Sequence, residues 1–227
     1  MRVNVPSASL AAVGVPLHTA NHAERHRDAA ALKGGDIHAA SLVRSLGLTF
    51  GMKFDAQGRF MRSMGEGRYN RGHGLRIAPD GSIWTTDVQG HTVMKMNADG
   101  DLLLTLGTRG QPGYWDETSG THLLYEPADI AFAPNGDVFI VQGHGRGDGR
   151  ILRFDTSGKF LHQFGGKGSG PGQFDTPHGV AVSPKDEVFV ADRGNRRIQV
   201  FDTEGKYLRE FTIDVPVDTK RGKITYG

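Results

Sequence analysis

The chain of 227 residues contains no cysteine, which excludes disulfide bonds, thiolate metal sites and a cysteine nucleophile. It also lacks the run of roughly 20 apolar residues that a membrane-spanning helix requires. Apolar residues make up only 37% of the chain and aromatic residues 8%, so the hydrophobic core is spread thinly. The formal net charge is +2, from 27 basic and 25 acidic residues, and gives no basic surface of the kind that binds nucleic acid or an anionic membrane.

The feature that the chain has in abundance is a repeated unit. The clearest copy is Gly172–Thr212; Gly72–Gly107 aligns with it without a gap, and Pro127–Gly165 aligns after an insertion near Gly145–Gly147. Half of another copy occupies Met52–Gly65. The turn glycines of the four copies lie 42, 58 and 47 residues apart, a period typical of propeller blades.

Each copy contains four short apolar runs separated by Asp, Gly, Asn and Pro, the turn residues expected between antiparallel strands. The pattern predicts an all-β propeller with about three complete four-stranded blades and a partial blade. We assign residues 41–227 to this propeller domain. Residues 1–40 show no blade pattern and read as an irregular or weakly helical leader.

Three and a half copies cannot close a ring, so we expect further units beyond Gly227 or closure by association. The first residues resemble a signal peptide only weakly, and the cellular compartment stays open. The histidines of the leader, among them His22 and His26, offer one helical face but no further ligands nearby.

Four polar side chains are predicted to face one mouth of the propeller. Because consecutive strands of a blade are antiparallel, the start of the first strand and the end of the second lie at the same edge. His73 and His178 stand just before first strands, and His144 and Arg193 stand just after second strands.

His73 and His178 occupy the same column of blades that are separated by one other blade, in which Ala128 fills that column. In a six-bladed ring, alternate blades give three positions related by about 120° around the axis. Three such histidines with an open position suit a catalytic zinc, and the third is expected near residue 280 by the repeat period. Each histidine could instead satisfy backbone groups in a turn, and Arg193 could pair with an acid of a neighbouring blade.

The segment DRGNRRIQVFDTEGKYL resembles the NHL repeat. HGLRIAPDGSIWTTDVQGHTV, DTPHGVAV and VADRGNRRIQVF resemble, more narrowly, six-bladed propellers related to peptidyl-alpha-hydroxyglycine alpha-amidating lyase. The resemblance implies zinc ligation by His73 and His178, a structural calcium held in part by the carbonyl of Leu75, and a substrate-positioning role for Arg193. Where that family has its catalytic tyrosine, this chain has Gln142-Gly143-His144, which makes His144 the candidate base.

We therefore expect a propeller that is related to zinc-dependent carbon–nitrogen lyases and acts on a small-molecule or peptide substrate. Its activity is expected to be lost or altered relative to that family. The alternative is a non-catalytic NHL propeller that binds a protein, peptide or glycan.

The long connector Thr108–Glu126 also has two interpretations: Tyr114 and Trp115 either close over a ligand or pin the connector to the propeller.

Overall fold

The computed structural model describes residues 51–145, 147 and 149–213. The leader, with His22 and His26, and everything after residue 213 lie outside the described residues. The chain divides into two compact units, Met1–Ser63 and Met64–Gly227. Across the described ranges, no helix has the length and apolar character that a membrane-spanning segment requires.

Sixteen strands form the described part of the chain, and their order follows the predicted repeats. The first two strands, β1 (Gly51–Phe54) and β2 (Phe60–Met64), form a two-stranded hairpin. Blade 1 consists of β3 (Gly72–Ile77), β4 (Ile83–Asp87), β5 (Thr92–Met96) and β6 (Leu102–Leu106). The short pair β7 (Trp115–Asp116) and β8 (Thr121–His122) lies in the connector. Blade 2 consists of β9 (Pro127–Phe132), β10 (Val138–Gln142), β11 (Arg150–Phe154) and β12 (Phe160–Gly165), and blade 3 of β13 (Pro177–Val182), β14 (Val188–Asp192), β15 (Arg197–Phe201) and β16 (Tyr207–Thr212).

Each blade is an antiparallel meander in which sequence order and spatial order agree. The prediction of an all-β propeller with three complete blades and a partial one is confirmed. The outer turns explain why the repeats are so regular: Asp55, Asn97, Asp155 and Asp202 each accept backbone N–H groups two and four residues later. The glycine three residues after each of them has φ between 79° and 88°, a conformation that glycine adopts without a steric penalty.

The hydrophobic core lies between blades. One cluster joins blades 1 and 2 through Trp84, Ile140 and Phe154, and a second joins blades 2 and 3 through Phe139, Val190 and Phe201.

Trp115 belongs to the first cluster: it is 6% exposed, stacks on His122 and Phe160, and meets the ring of Phe154 edge-on. Burial of Trp115 therefore favours the interpretation in which it pins the connector to the blades.

The connectors are fastened to the blades by one recurring contact. The last residue of each second strand is fully buried and accepts the backbone N–H of the residue 17 positions earlier. The acceptors are Asp87, Gln142 and Asp192, and the donors are Asn70, Tyr125 and Asp175. In blades 1 and 3 the donor lies three residues before the histidine in the second position of the first strand, so this contact fixes the backbone that leads into His73 and His178.

Candidate metal centre

His73 and His178 both lie at a β-bulge at the start of an inner strand. In blade 3, Pro177 pairs with Asp192 and Gly179 with Ala191, so His178 has no residue opposite it. In blade 1 the register shifts between Gly72 and Leu75. A bulge bends the strand and re-aims the side chain of the extra residue, and bulges are frequent beside functional sites.

The imidazole of His73 is oriented by blade 2. Its Nδ1 lies 2.8 Å from the backbone oxygen of Ala128, the residue that fills the same column in blade 2. A carbonyl oxygen only accepts, so Nδ1 carries the proton and Nε2 keeps a free lone pair. Gly74 allows this approach, because a Cβ at that position would lie 2.9 Å from the same oxygen. Such a bond from the second ring nitrogen is typical of histidines that ligate metals.

A third imidazole from this chain joins the pair. The ring centroid of His144 lies 4.7 Å from that of His73 and 5.0 Å from that of His178, and the rings of His73 and His178 are 4.8 Å apart. One ring nitrogen from each histidine lies within 4.8 Å of the other two, so these three residues can hold a metal ion. Sequence analysis placed the third histidine beyond the end of the chain; the structure instead brings His144, from the turn after β10, into this position.

Two of the three imidazoles are neutral at physiological pH. Burial, reinforced by the charges of His73 and His178, lowers the pKa of His144 to about 4. Burial, reinforced by the charge of Arg193, lowers the pKa of His178 to about 4 as well. A neutral imidazole has the lone pair that metal binding requires, whereas a protonated one does not.

Arg193 lies at the edge of the cluster, as the sequence predicted. Its Nη2 donates a hydrogen bond of 3.4 Å to the backbone oxygen of His144. This contact and its effect on the pKa of His178 place a permanent positive charge beside the three imidazoles. The arrangement suits a substrate group that is anionic or becomes anionic during reaction.

Leu75 lies outside the histidine cluster, and its surroundings do not fit the calcium role that the resemblance implies. The Leu75 carbonyl accepts a hydrogen bond of 3.0 Å from Nη1 of Arg76. The same guanidinium pairs with Asp129 at 2.8 Å. A calcium ion needs six to eight oxygen ligands, and here a guanidinium cation already uses both oxygens.

Sequence reasoning missed Glu126, which contacts the turn that carries His144, and His91, which contacts Glu126. Glu126 precedes the first strand of blade 2 and has a positive φ of 48°. Its backbone N–H donates to Nδ1 of His91 at 3.2 Å. The one signal in the sequence was the position of Glu126 immediately before Pro127. In blade 3 the equivalent residue is Thr176, which precedes Pro177 and His178.

Comparison with known proteins agrees with the fold and with the sequence resemblance. Residues 174–201 match the model of the NHL repeat. The chain is 41% identical over 142 residues to peptidylglycine alpha-amidating monooxygenase of Rattus norvegicus, an alignment covering 59% of this chain and 14% of that protein. It is 34% identical over 133 residues to a probable peptidyl-alpha-hydroxyglycine alpha-amidating lyase of Caenorhabditis elegans, covering 57% of this chain and 36% of the relative.

Among solved structures, a streptogramin B lyase superposes with a TM-score of 0.52 and 18% sequence identity, covering 72% of this chain and 47% of that one. At this identity the likeness concerns the fold alone. The chain thus contains an NHL repeat and has the β-propeller fold, and it spans only part of the length of the relatives that it matches.

Proposed function

We propose that this NHL-repeat propeller binds one zinc ion through His73, His144 and His178 and is a lyase-like enzyme of the amidating type. The observation that carries the proposal is the convergence of three imidazoles from blades 1, 2 and 3, whose ligand atoms lie within 4.8 Å of one another. Three nitrogen ligands and an open position are the usual donor set of catalytic zinc. This proposal gives His144 a ligand role in place of the base role expected from sequence.

The three histidines fit zinc in chemistry, and their rings must move closer together to fit it in distance. With zinc–nitrogen bonds of about 2.0–2.1 Å in a tetrahedral site, the ligand nitrogens lie about 3.4 Å apart. Nitrogens spread over up to 4.8 Å reach this separation when the rings close by about 1–1.5 Å, which rotations about the side-chain bonds provide. The bond from His73 Nδ1 to the Ala128 oxygen leaves Nε2 as the ligand atom of that residue.

The proposed class of reaction is that of the nematode relative, a probable peptidyl-alpha-hydroxyglycine alpha-amidating lyase. In such a reaction the substrate hydroxyl loses its proton and becomes a carbonyl, while the carbon–nitrogen bond breaks with its electrons going to a nitrogen that takes up a proton. A zinc ion with an open position supplies Lewis acidity toward a hydroxyl or carbonyl oxygen. Arg193 holds a substrate carboxylate or the oxygen that gains negative charge.

Turnover on an alpha-hydroxyglycine peptide is expected to be low. Gln142, Gly143 and His144 stand where the resembled family has its tyrosine, and His144 as a ligand cannot also move the proton of the substrate. We propose instead a small hydroxylated substrate whose carboxylate or developing negative charge Arg193 holds.

The test is zinc content and affinity. Metal-free protein is titrated with zinc by calorimetry, and bound metal is measured by mass spectrometry after dialysis. We expect one tightly bound zinc per chain, lost when His73→Gln and His178→Gln are combined. A folded wild-type protein that retains no metal would contradict the proposal and favour a non-catalytic propeller that binds a protein, peptide or glycan.

A further inference from the structure

The turn that carries His144 is held mainly by Glu126, the last residue of the preceding connector, and the Gly143 N–H also donates to the backbone oxygen of the neighbouring Tyr125 at 3.0 Å. In this turn, Gly143–Gly145, the N–H groups of Gly143 and His144 both donate to the backbone oxygen of Glu126 at 3.2 Å. The next N–H, that of Gly145, donates to the Glu126 carboxylate at 2.5 Å. Glu126 therefore binds three consecutive amides of the turn.

Glu126 is itself fixed in an unusual conformation. Its φ of 48° is in the left-handed region, which costs a non-glycine residue free energy and persists only where surrounding contacts enforce it. Two contacts do so on its N-terminal side: its N–H donates to Nδ1 of His91 at 3.2 Å, and the preceding Tyr125 donates to the buried Gln142 side chain at 3.2 Å. A turn of blade 1, through His91, and the end of β10, through Gln142, thus hold Glu126 and the residue before it in place.

The glycine at position 145 is matched to this contact. A Cβ there would lie 2.5 Å from Oε2 of Glu126, closer than real Cβ contacts come, so a larger residue would displace the carboxylate. The turn belongs to the insertion that distinguishes blade 2 from the other copies. Glycine gives its backbone freedom, so without a fixed anchor the direction of the His144 ring would not be determined.

We propose that Glu126 is the positioning residue of the metal centre: it anchors the Gly143–Gly145 turn so that the His144 imidazole meets His73 and His178. The inference rests on the proposed function, since the purpose of the arrangement is metal binding. The hydrogen bonds from the turn to Glu126 give it the role of holding geometry.

A geometric role predicts how substitutions rank. Glu126→Gln keeps an oxygen that accepts the Gly145 N–H, so it should bind zinc nearly as tightly as the wild type. Glu126→Ala keeps the backbone oxygen that binds Gly143 and His144 but removes the side-chain acceptor of the Gly145 N–H, and it should weaken zinc binding by about 10- to 100-fold, the usual effect of losing a residue that orients a ligand. Gly145→Ala breaks the same contact while keeping Glu126 and should fall in the same range. Glu204→Ala, at an exposed outer turn, is the matched control and should leave affinity unchanged.

Two readouts separate this inference from the proposed function. The first is zinc affinity, with urea denaturation to verify that each variant folds. The second needs no metal: NOEs between imidazole protons in the metal-free protein. In the wild type His144 should show NOEs to both other rings, and in Glu126→Ala these should disappear while the His73–His178 NOE remains.

The outcomes are distinct. A wild type with all three ring NOEs but no zinc binding contradicts the proposed function, and the NOE comparison then decides the role of Glu126. Glu126→Ala with unchanged NOEs, or with wild-type zinc affinity, overturns the inference. Equal loss in Glu126→Gln and Glu126→Ala would also overturn it, because a hydrogen-bond anchor should survive the conservative change.

Discussion

Removal of Asp87 tests most clearly how the segment that leads into blade 1 is fastened to that blade. Asp87 ends β4, is fully buried, and accepts the N–H groups of Asn70 at 2.6 Å, Arg71 at 2.7 Å and Gly90 at 2.9 Å. Asp87→Ala deletes all three acceptors at once. Two of the donors directly precede Gly72 and His73, so the change also loosens the backbone that leads into the metal centre.

The cost of this substitution follows from the three lost hydrogen bonds. A hydrogen bond to a charged group contributes about 1.5–3 kcal/mol, and a buried donor left unsatisfied costs about 1–3 kcal/mol. Asn70 and Arg71 are exposed residues, so water replaces part of what they lose, while Gly90 is buried. We therefore expect Asp87→Ala to lower the free energy of unfolding by about 3 kcal/mol, a large fraction of typical domain stability.

Urea denaturation followed by circular dichroism measures this change. With m about 2 kcal/mol/M, the midpoint should fall by about 1.5 M while m stays constant. Asp186→Asn, at an exposed turn where φ is 60° and asparagine is well tolerated, is the control and should change stability by less than about 0.5 kcal/mol. A loss below about 1 kcal/mol for Asp87→Ala would refute the role given to these hydrogen bonds.

Three further predictions concern pH, calcium and the connector. In the metal-free protein, NMR should find His144 and His178 titrating near pH 4. Because their unfolded pKa is about 6.5, unfolding near pH 5 should take up about two protons. The stability that these two histidines contribute should therefore fall as the pH decreases from 6.5 to 4. A midpoint independent of pH in this window would contradict the buried, neutral histidines. Calcium and its chelators should leave the Tm unchanged, because Arg76 already donates to the Leu75 carbonyl; a clear calcium-dependent rise in Tm would show that Arg76 yields this position. Trp115→Ala should lower the free energy of unfolding by about 3–5 kcal/mol, measured by urea denaturation, and a near-neutral effect would mean that the connector is not pinned by this side chain.

The blades could be predicted from sequence because their determinants are local. Asp55, Asn97, Asp155 and Asp202 bond to amides two and four residues later, so the turn signature is complete within five residues. The pairing of His73 with His178 was also accessible, since equivalent columns of a repeat lie at equivalent places in a propeller.

The position of His144 could not be predicted in the same way. It lies in an insertion that has no counterpart in the other copies, and its path is set by Glu126, 18 residues earlier, through contacts that no periodicity encodes. His91, which lies in a turn of blade 1 and carries no motif, accepts the N–H of Glu126. The hydrogen bond from the Arg76 guanidinium to the Leu75 carbonyl likewise depends on a side-chain conformation, which the sequence does not specify. Side-chain conformations and contacts that no repeat period encodes therefore account for what could not be predicted from the sequence.

The central claim is that three imidazoles of this chain ligate one metal ion, and X-ray absorption at the zinc edge tests it most directly. The spectrum of the zinc-loaded wild type should require three imidazole ligands with zinc–nitrogen distances of about 2.0–2.1 Å. His73→Gln, His144→Gln and His178→Gln should each reduce that number by one. A site with two imidazoles that is unchanged by His144→Gln would contradict the account.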